Sequence, residues 1–392
     1  MSDRTPSQLG LHLQMTRGLQ WHFGTTGDPY ALILRAQADD PTPFHAMVRE
    51  RGVLHQSLLG AYVTADHDLG RTILTDPRLG LRKADGEPPA PQVLSLDETF
   101  LGLGAAEHAR ITERAANLLS EQAVHIHEPH VRRLAEDRIS GHSGQFDLVT
   151  DFAAPLAVDL TADLLGIPDP DRAHFAGLCA DLRPTLDSLV CPQPLGPTRA
   201  LLAALANVTR LLSDMGCTVP EARHAAVITA TAGVEIGTTL VVNAVAALLA
   251  RPEQWAKLVG DPGLAADAIA ETLRYDAPVQ LHTRVALSDM EFAGTEIPKD
   301  SQLVVLSGAA GRDPELYADA DEFELTRNPG PTPLAFTGGF HSGLLAPLLR
   351  VHAETALRVL AEHTPRLRQT GKLVRRRRSP VLRGPLTLPV TA

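Results

Sequence analysis

Cysteine is scarce in this 392-residue chain: there are three, Cys179, Cys191 and Cys217. Three unevenly spaced thiols make neither a disulfide framework nor a zinc site, and they suit a reducing compartment. Basic charge is short as well. Lys and Arg number 36 against 46 Asp and Glu, a formal net charge of −10, which argues against a general nucleic-acid binder. No unbroken apolar run approaches the ~18 residues of a membrane span. The opening MSDRTPSQLG lacks the charged-then-apolar pattern of a secretory signal. The expectation is a cytoplasmic protein with neither membrane nor nucleic acid as partner. What is present is ordinary globular composition, 44% hydrophobic and 21% charged, with length enough for a large core. The one strong basic run, Arg375–Arg378, reads as a solvated patch rather than a phosphate site.

No linker-like break or internal repeat divides the chain. Residues 1–30 read as an irregular segment ending in the turn Gly27-Asp28-Pro29, and 31–392 as one domain. Val53–Gln56 and Ala61–Thr64 flank Gly60 as a hairpin, and Asp66 suits the N-cap of a helix that stops at Asp76-Pro77. Lys83–Ala106 reads as a long loop, and most of 107–250 as helix. Thr218-Val219-Pro220-Glu221 has the pattern of a capping box, opening a long helix that runs to Arg251-Pro252. Its middle carries Gly233 and Gly237, each unfavourable by about 1 kcal/mol in a helix, so something is expected to approach that face closely. Helices over Gln254–Gly260, Leu264–Tyr275 and Ala346–Glu362, with short strands between them, complete a mainly α architecture with small β-sheets.

The stretch Pro333–Arg350, PLAFTGGFHSGLLAPLLR, resembles the haem-ligand loop of bacterial cytochromes P450. There a Phe-x-Gly-x-x-x-x-Cys spacing leads into a helix. Counted from Phe336 and Gly338, the cysteine column falls on Gly343. Glu271-Thr272-Leu273-Arg274 resembles the family's Glu-x-x-Arg, and Arg312-Asp313-Pro314 through Phe323 and Arg327 the meander that supplies a second Arg. Residues i and i+3 of a helix share a face, so Glu271 and Arg274 can pair. The resemblance implies a cytochrome P450 fold in which Glu271, Arg274 and Arg327 keep a structural role.

The chemical positions depart from the family. Thiolate ligation is what favours O–O cleavage in a P450, and Gly343 has no side chain. The acid of the oxygen-relay pair matches Glu235, but the alcohol position is Ile236, which cannot relay a proton. Thr238 and Thr239, two and three residues on, project about 200° and 300° around the helix from it. The family glycine after Cys-Leu is Leu345, and the Arg of His-x-x-x-Arg is Thr112. His108, Arg284 and His341 match the remaining haem-propionate partners. Two readings stand: these three hold a haem, with His341 a candidate ligand, or they satisfy one another or the backbone in a collapsed pocket. The second is taken. No catalytic residue, metal or cofactor is expected.

Trp21-His22, Gly27–Tyr30, Arg35–Pro41, Arg274–Asp276, Pro278–Leu281 and Arg383–Leu386 narrow the resemblance. They are similar to the P450-like auxiliary proteins of actinobacterial deoxysugar glycosyltransferases. That resemblance implies a non-catalytic partner that binds, stabilises and activates a glycosyltransferase as a hetero-oligomer. Such an enzyme attaches a nucleotide-activated deoxysugar to a macrolide or related polyketide in antibiotic biosynthesis. The alternative is a divergent haem-binding oxidoreductase with a non-thiolate ligand. Leu9–Phe23 and Leu186–Leu195 are the candidate contact segments.

Overall fold

The computed structural model describes residues 6–38, 40–89, 104–328, 330–338 and 341–392. Its centre is a 30-residue helix, Pro220–Leu249. By length and composition this helix could cross a membrane, which the search for unbroken apolar runs missed. Yet 89% of its most apolar stretch is buried inside the protein: it is a core helix. A π turn at Thr229–Gly233 interrupts it, and such widened turns concentrate at functional sites. The expected capping box does not form. Pro220 takes the first helical position, so Val219 is the N-cap and has no side chain to offer, while Glu221 falls one place short of reaching back.

Three apolar clusters surround this helix. Leu240–Leu248 pack with Phe152, Trp255, Leu273, Leu357 and Leu360. Ile228, Ala232 and Ile236 pack with Ile111, Leu345 and Leu349. Val227, Ala230 and Val234 face Phe175, Leu201 and Val208. The final helix, His341–His363, lies along the long one and begins five residues before the expected Ala346. Pro347 sits inside it, where its missing N–H frees the carbonyl of Gly343.

The expected hairpin forms, His55 opposite Val63, and joins a five-stranded sheet whose other strands are Gln302–Val305, His282–Ala286 and Leu79–Gly80. Asp66 caps the helix His67–Thr75 through the backbone N–H of Leu69 at 2.7 Å. The loop expected over Lys83–Ala106 lies mostly outside the described residues.

The irregular segment expected over 1–30 is instead helical at Pro6–Thr25, and a second helix follows at Pro29–Arg35. Apolar residues on opposite faces of the first helix blur its period. Leu9 and Leu13 are buried against Leu195 and Leu202, while Leu11, Met15 and Leu19 face solvent. Asp28 ends the turn between the two helices. Its carboxylate accepts from the N–H groups of Ala31 and Leu58 and from Ser57 Oγ at 2.7–3.0 Å, tying the second helix to the hairpin.

Candidate functional site

Glu271, Arg274 and Arg327 come together as the sequence suggested. Arg274 donates Nε and Nη2 to the Glu271 carboxylate at 2.7 and 2.8 Å, and Arg327 Nε adds a third bond at 3.1 Å. Arg274 also donates to the carbonyls of Gly311, Ala320 and Glu322. Gly311 is where the ring is tightest, because a Cβ there would run into the Arg274 carbonyl. The Glu271 and Arg274 side chains are 5% and 4% exposed, so this is a buried lock and no surface pair.

The turn before the final helix is built from Leu334–Phe336 and Gly338, whose φ is +99°. A side chain at Gly338 would collide with the guanidinium of Arg284. Gly343 lies in the first turn of the final helix, where a Cβ would sit 3.4 Å from the Phe336 carbonyl oxygen. Two residues on, Leu345 is fully buried and reaches within 3.7 Å of a Cβ built on Gly233. One turn further along the long helix, a Cβ at Gly237 would stand 2.9 Å from His352 Nδ1 and 3.4 Å from Leu349. The close approach that the two glycines demanded is made by the final helix itself. Ile236 and Leu345 belong to one apolar cluster with Ile111 and Ala115.

Arg284 is buried, donates to the carbonyl of Thr283 at 2.9 Å, and burial brings its pKa down to about 10. His108 Nδ1 lies 3.4 Å from Thr112 Oγ1. The side chain of His341 lies outside the described residues. Thr238 bonds its own helix at the Val234 carbonyl, 2.7 Å away. Among the described residues no three His, Cys, Asp or Glu groups gather as a metal site, and Cys179 and Cys191 are buried thiols whose pKa burial pushes up to about 12. With no donor at Gly343 and Leu345 against the long helix, these residues do not fit a thiolate-ligated porphyrin.

Glu235 has another occupation. It meets Arg376 Nη1 at 2.6 Å and lies 3.8 Å from Arg183. Arg376 also lies 3.5 Å from Asp187, whose carboxylate accepts from Ser379 Oγ at 2.6 Å and from the N–H groups of Val381 and Leu382. Burial, only partly opposed by Arg376, raises the Asp187 pKa to about 6. Arg375 pairs with Asp276 at 2.7 Å, and Arg383 meets the same carboxylate at 3.1 Å. The run Arg375–Arg378 is therefore no solvated patch: the Arg375 and Arg376 side chains are 10% and 14% exposed. Leu186–Leu195 is likewise mostly buried, with Leu186, Asp187 and Cys191 inside the chain. The signal overlooked was Asp187, a lone acid in an apolar stretch, which requires a buried cation.

The chain matches the cytochrome P450 family model over residues 263–328. It is 43% identical to Protein DesVIII of Streptomyces venezuelae, across 98% of this chain and 94% of that one. Protein AknT of Streptomyces galilaeus is 39% identical over 100% of this chain and 97% of its own length. The crystal structure of P450BioI superposes with a TM-score of 0.77 at 26% identity, covering 90% of this chain and 98% of that one. The chain belongs to the cytochrome P450 family and stands within it beside DesVIII and AknT, in the auxiliary branch that its sequence resembles.

Proposed function

We propose that this chain is a non-catalytic cytoplasmic partner that binds, stabilises and activates a glycosyltransferase. That enzyme attaches a nucleotide-activated deoxysugar, such as an aminodeoxysugar, to a macrolide or related polyketide. The observation that carries the reading is Gly343 inside an intact fold: the ring around Glu271 is complete while the expected iron-ligand position has no donor atom. A scaffold kept without its chemistry works through its surface. Leu11, Met15 and Leu19 make a row at i, i+4 and i+8 on the first helix, 59%, 61% and 52% exposed. Together they present on the order of 300 Å² of apolar surface, more than a third of one side of a standard interface of about 800 Å² per partner. No Asp or Glu lies in Pro6–Thr25, so no carboxylate must be desolvated along the row. The glycosyltransferase docks there.

Binding only the competent state of the enzyme stabilises that state by mass action, by ~2.7 kcal/mol at 100 times the dissociation constant. Co-expression with a deoxysugar glycosyltransferase of this class should give a co-purifying pair and raise sugar transfer over the enzyme alone. Replacing Leu11, Met15 and Leu19 together by serine should abolish both in a folded protein, whereas His108→Ala should alter neither. Loss of activation in a folded His108→Ala protein that still bound the enzyme would give the pocket a chemical role and overturn this reading.

A further inference from the structure

A second concave surface lies away from the Gly343 turn and is unrelated to the row on the first helix. It is a cleft, open to solvent, between the helices Pro29–Arg35 and Thr42–Glu50, the segment before His282–Ala286, and the C-terminal hairpin in which Val374–Arg375 pairs with Pro385–Thr387. Leu32, Ile33, Phe44, Leu281, Leu306 and Pro380 give it an apolar wall. Four guanidinium groups, Arg375, Arg376, Arg377 and Arg383, line the other side, and among the described residues no Asp or Glu lines it. In a chain of net charge −10 that lining is a local reversal of sign.

Three of the four arginines are held from behind. Asp276 fixes Arg375 and Arg383, and Asp187 with Glu235 fixes Arg376. Arg377 differs: it is exposed and makes no ion pair or hydrogen bond among the described residues. The cleft also contains His45, which is 5% exposed and whose ring makes no hydrogen bond among the described residues. Burial and the nearby Arg49, Arg383 and Arg312 bring its pKa down to about 3, so the ring is neutral and offers one donor and one acceptor.

We propose that this cleft binds a small organic anion with an apolar body, its carboxylate or phosphate meeting Arg377 and its body lying along the Leu32–Phe44 wall beside His45. A guanidinium fork matches the planar oxygens of carboxylate and phosphate. Three segments that set the sequence apart from cytochromes P450 at large, Arg35–Pro41, Pro278–Leu281 and Arg383–Leu386, all contribute to this lining.

Calorimetric titration of the full chain with decanoate, decyl phosphate and 1-decanol tests the assignment. At least one anion should bind one-to-one, and at least about tenfold more tightly than decanol, the worth of one charge-assisted hydrogen bond; the ratio of the two anions identifies the head group. Arg377→Gln, at an exposed position, should weaken that anion by about tenfold and leave decanol unchanged. The anion should also shift the His45 ring nitrogens in a long-range proton–nitrogen spectrum. Equal binding of anion and alcohol, no binding of any probe, or an unchanged affinity in Arg377→Gln would overturn the proposal. The last two results would leave the arginines to hold only the chain itself or an acidic segment of a protein partner.

Discussion

Glu271→Ala is the perturbation that bears most directly on what holds this fold together. The carboxylate is 5% exposed and accepts four hydrogen bonds, two from Arg274, one from Arg327 and one from the backbone N–H of Glu324. Alanine removes the only carboxylate that either guanidinium meets among the described residues. Hydrogen bonding is partly preserved, because Arg274 still reaches three carbonyls and Arg327 reaches those of Ala318, Asp319 and Glu322. The charge is not replaced, and stranding one partner of a buried pair costs about 3–5 kcal/mol out of a typical total of about 5–15 kcal/mol. For 392 residues the unfolding entropy is about 0.8 kcal/mol/K near the midpoint, so this loss lowers Tm by only about 4–6 °C. Urea unfolding followed by circular dichroism is the better assay, with the free energy taken by linear extrapolation. Glu271→Gln keeps the acceptor oxygen and should lie between parent and alanine variant. An alanine variant within about 0.5 kcal/mol of the parent, the range of an unremarkable surface change, would refute the view that this ring secures the fold.

Gly237→Ala should destabilise by about 1–3 kcal/mol through overpacking against His352, and His352→Ala in the same chain should recover part of it; strictly additive losses would refute the contact. Asp187→Asn should change the pH dependence of stability. With its pKa raised from 3.8 to about 6, the folded state holds the Asp187 proton more tightly than the unfolded state. Its contribution is full below about pH 4 and is lost as pH rises through about 6, a span of about 3 kcal/mol. Urea midpoints at pH 4 and pH 7 should therefore move in favour of the asparagine variant at the higher pH; a constant gap refutes the assignment. Gly343→Cys, expressed with a haem precursor, should give little porphyrin absorbance because Leu345 remains, and adding Leu345→Gly should give more. A stoichiometric band in the single variant would show that the space was never closed.

What could be read from the sequence was whatever rests on local spacing. Glu271 and Arg274 share a helix face by their separation, Asp66 announces its cap, and the glycines at 233 and 237 require a close neighbour. Long-range pairing was less visible. Nothing near Glu235 in the chain indicates Arg376, and the arginine run looked solvated because its acids, Asp187, Glu235 and Asp276, lie 99 to 189 residues away. The first helix was missed for another reason: apolar residues on two opposite faces cancel the period that would reveal it. The second face has no partner among the described residues, so one sequence alone gave no reason for it to be apolar.

The seating of the final helix on Gly237 also bears on history. In a scaffold that has merely lost its ligand, one codon change is enough to regain it. Here the route back is longer. Leu345 and His352 fill the space against the long helix, and Glu235 is committed to a cation on the C-terminal hairpin. A reversion at position 343 alone would place a thiol beside a core already packed for something else, and undoing that packing first would open a cavity at a few kcal/mol. Each single step backward is disfavoured although the whole path is short. Packing of this kind acts as a ratchet, and a lineage that has passed it is free to change its surface without relapsing into its former chemistry.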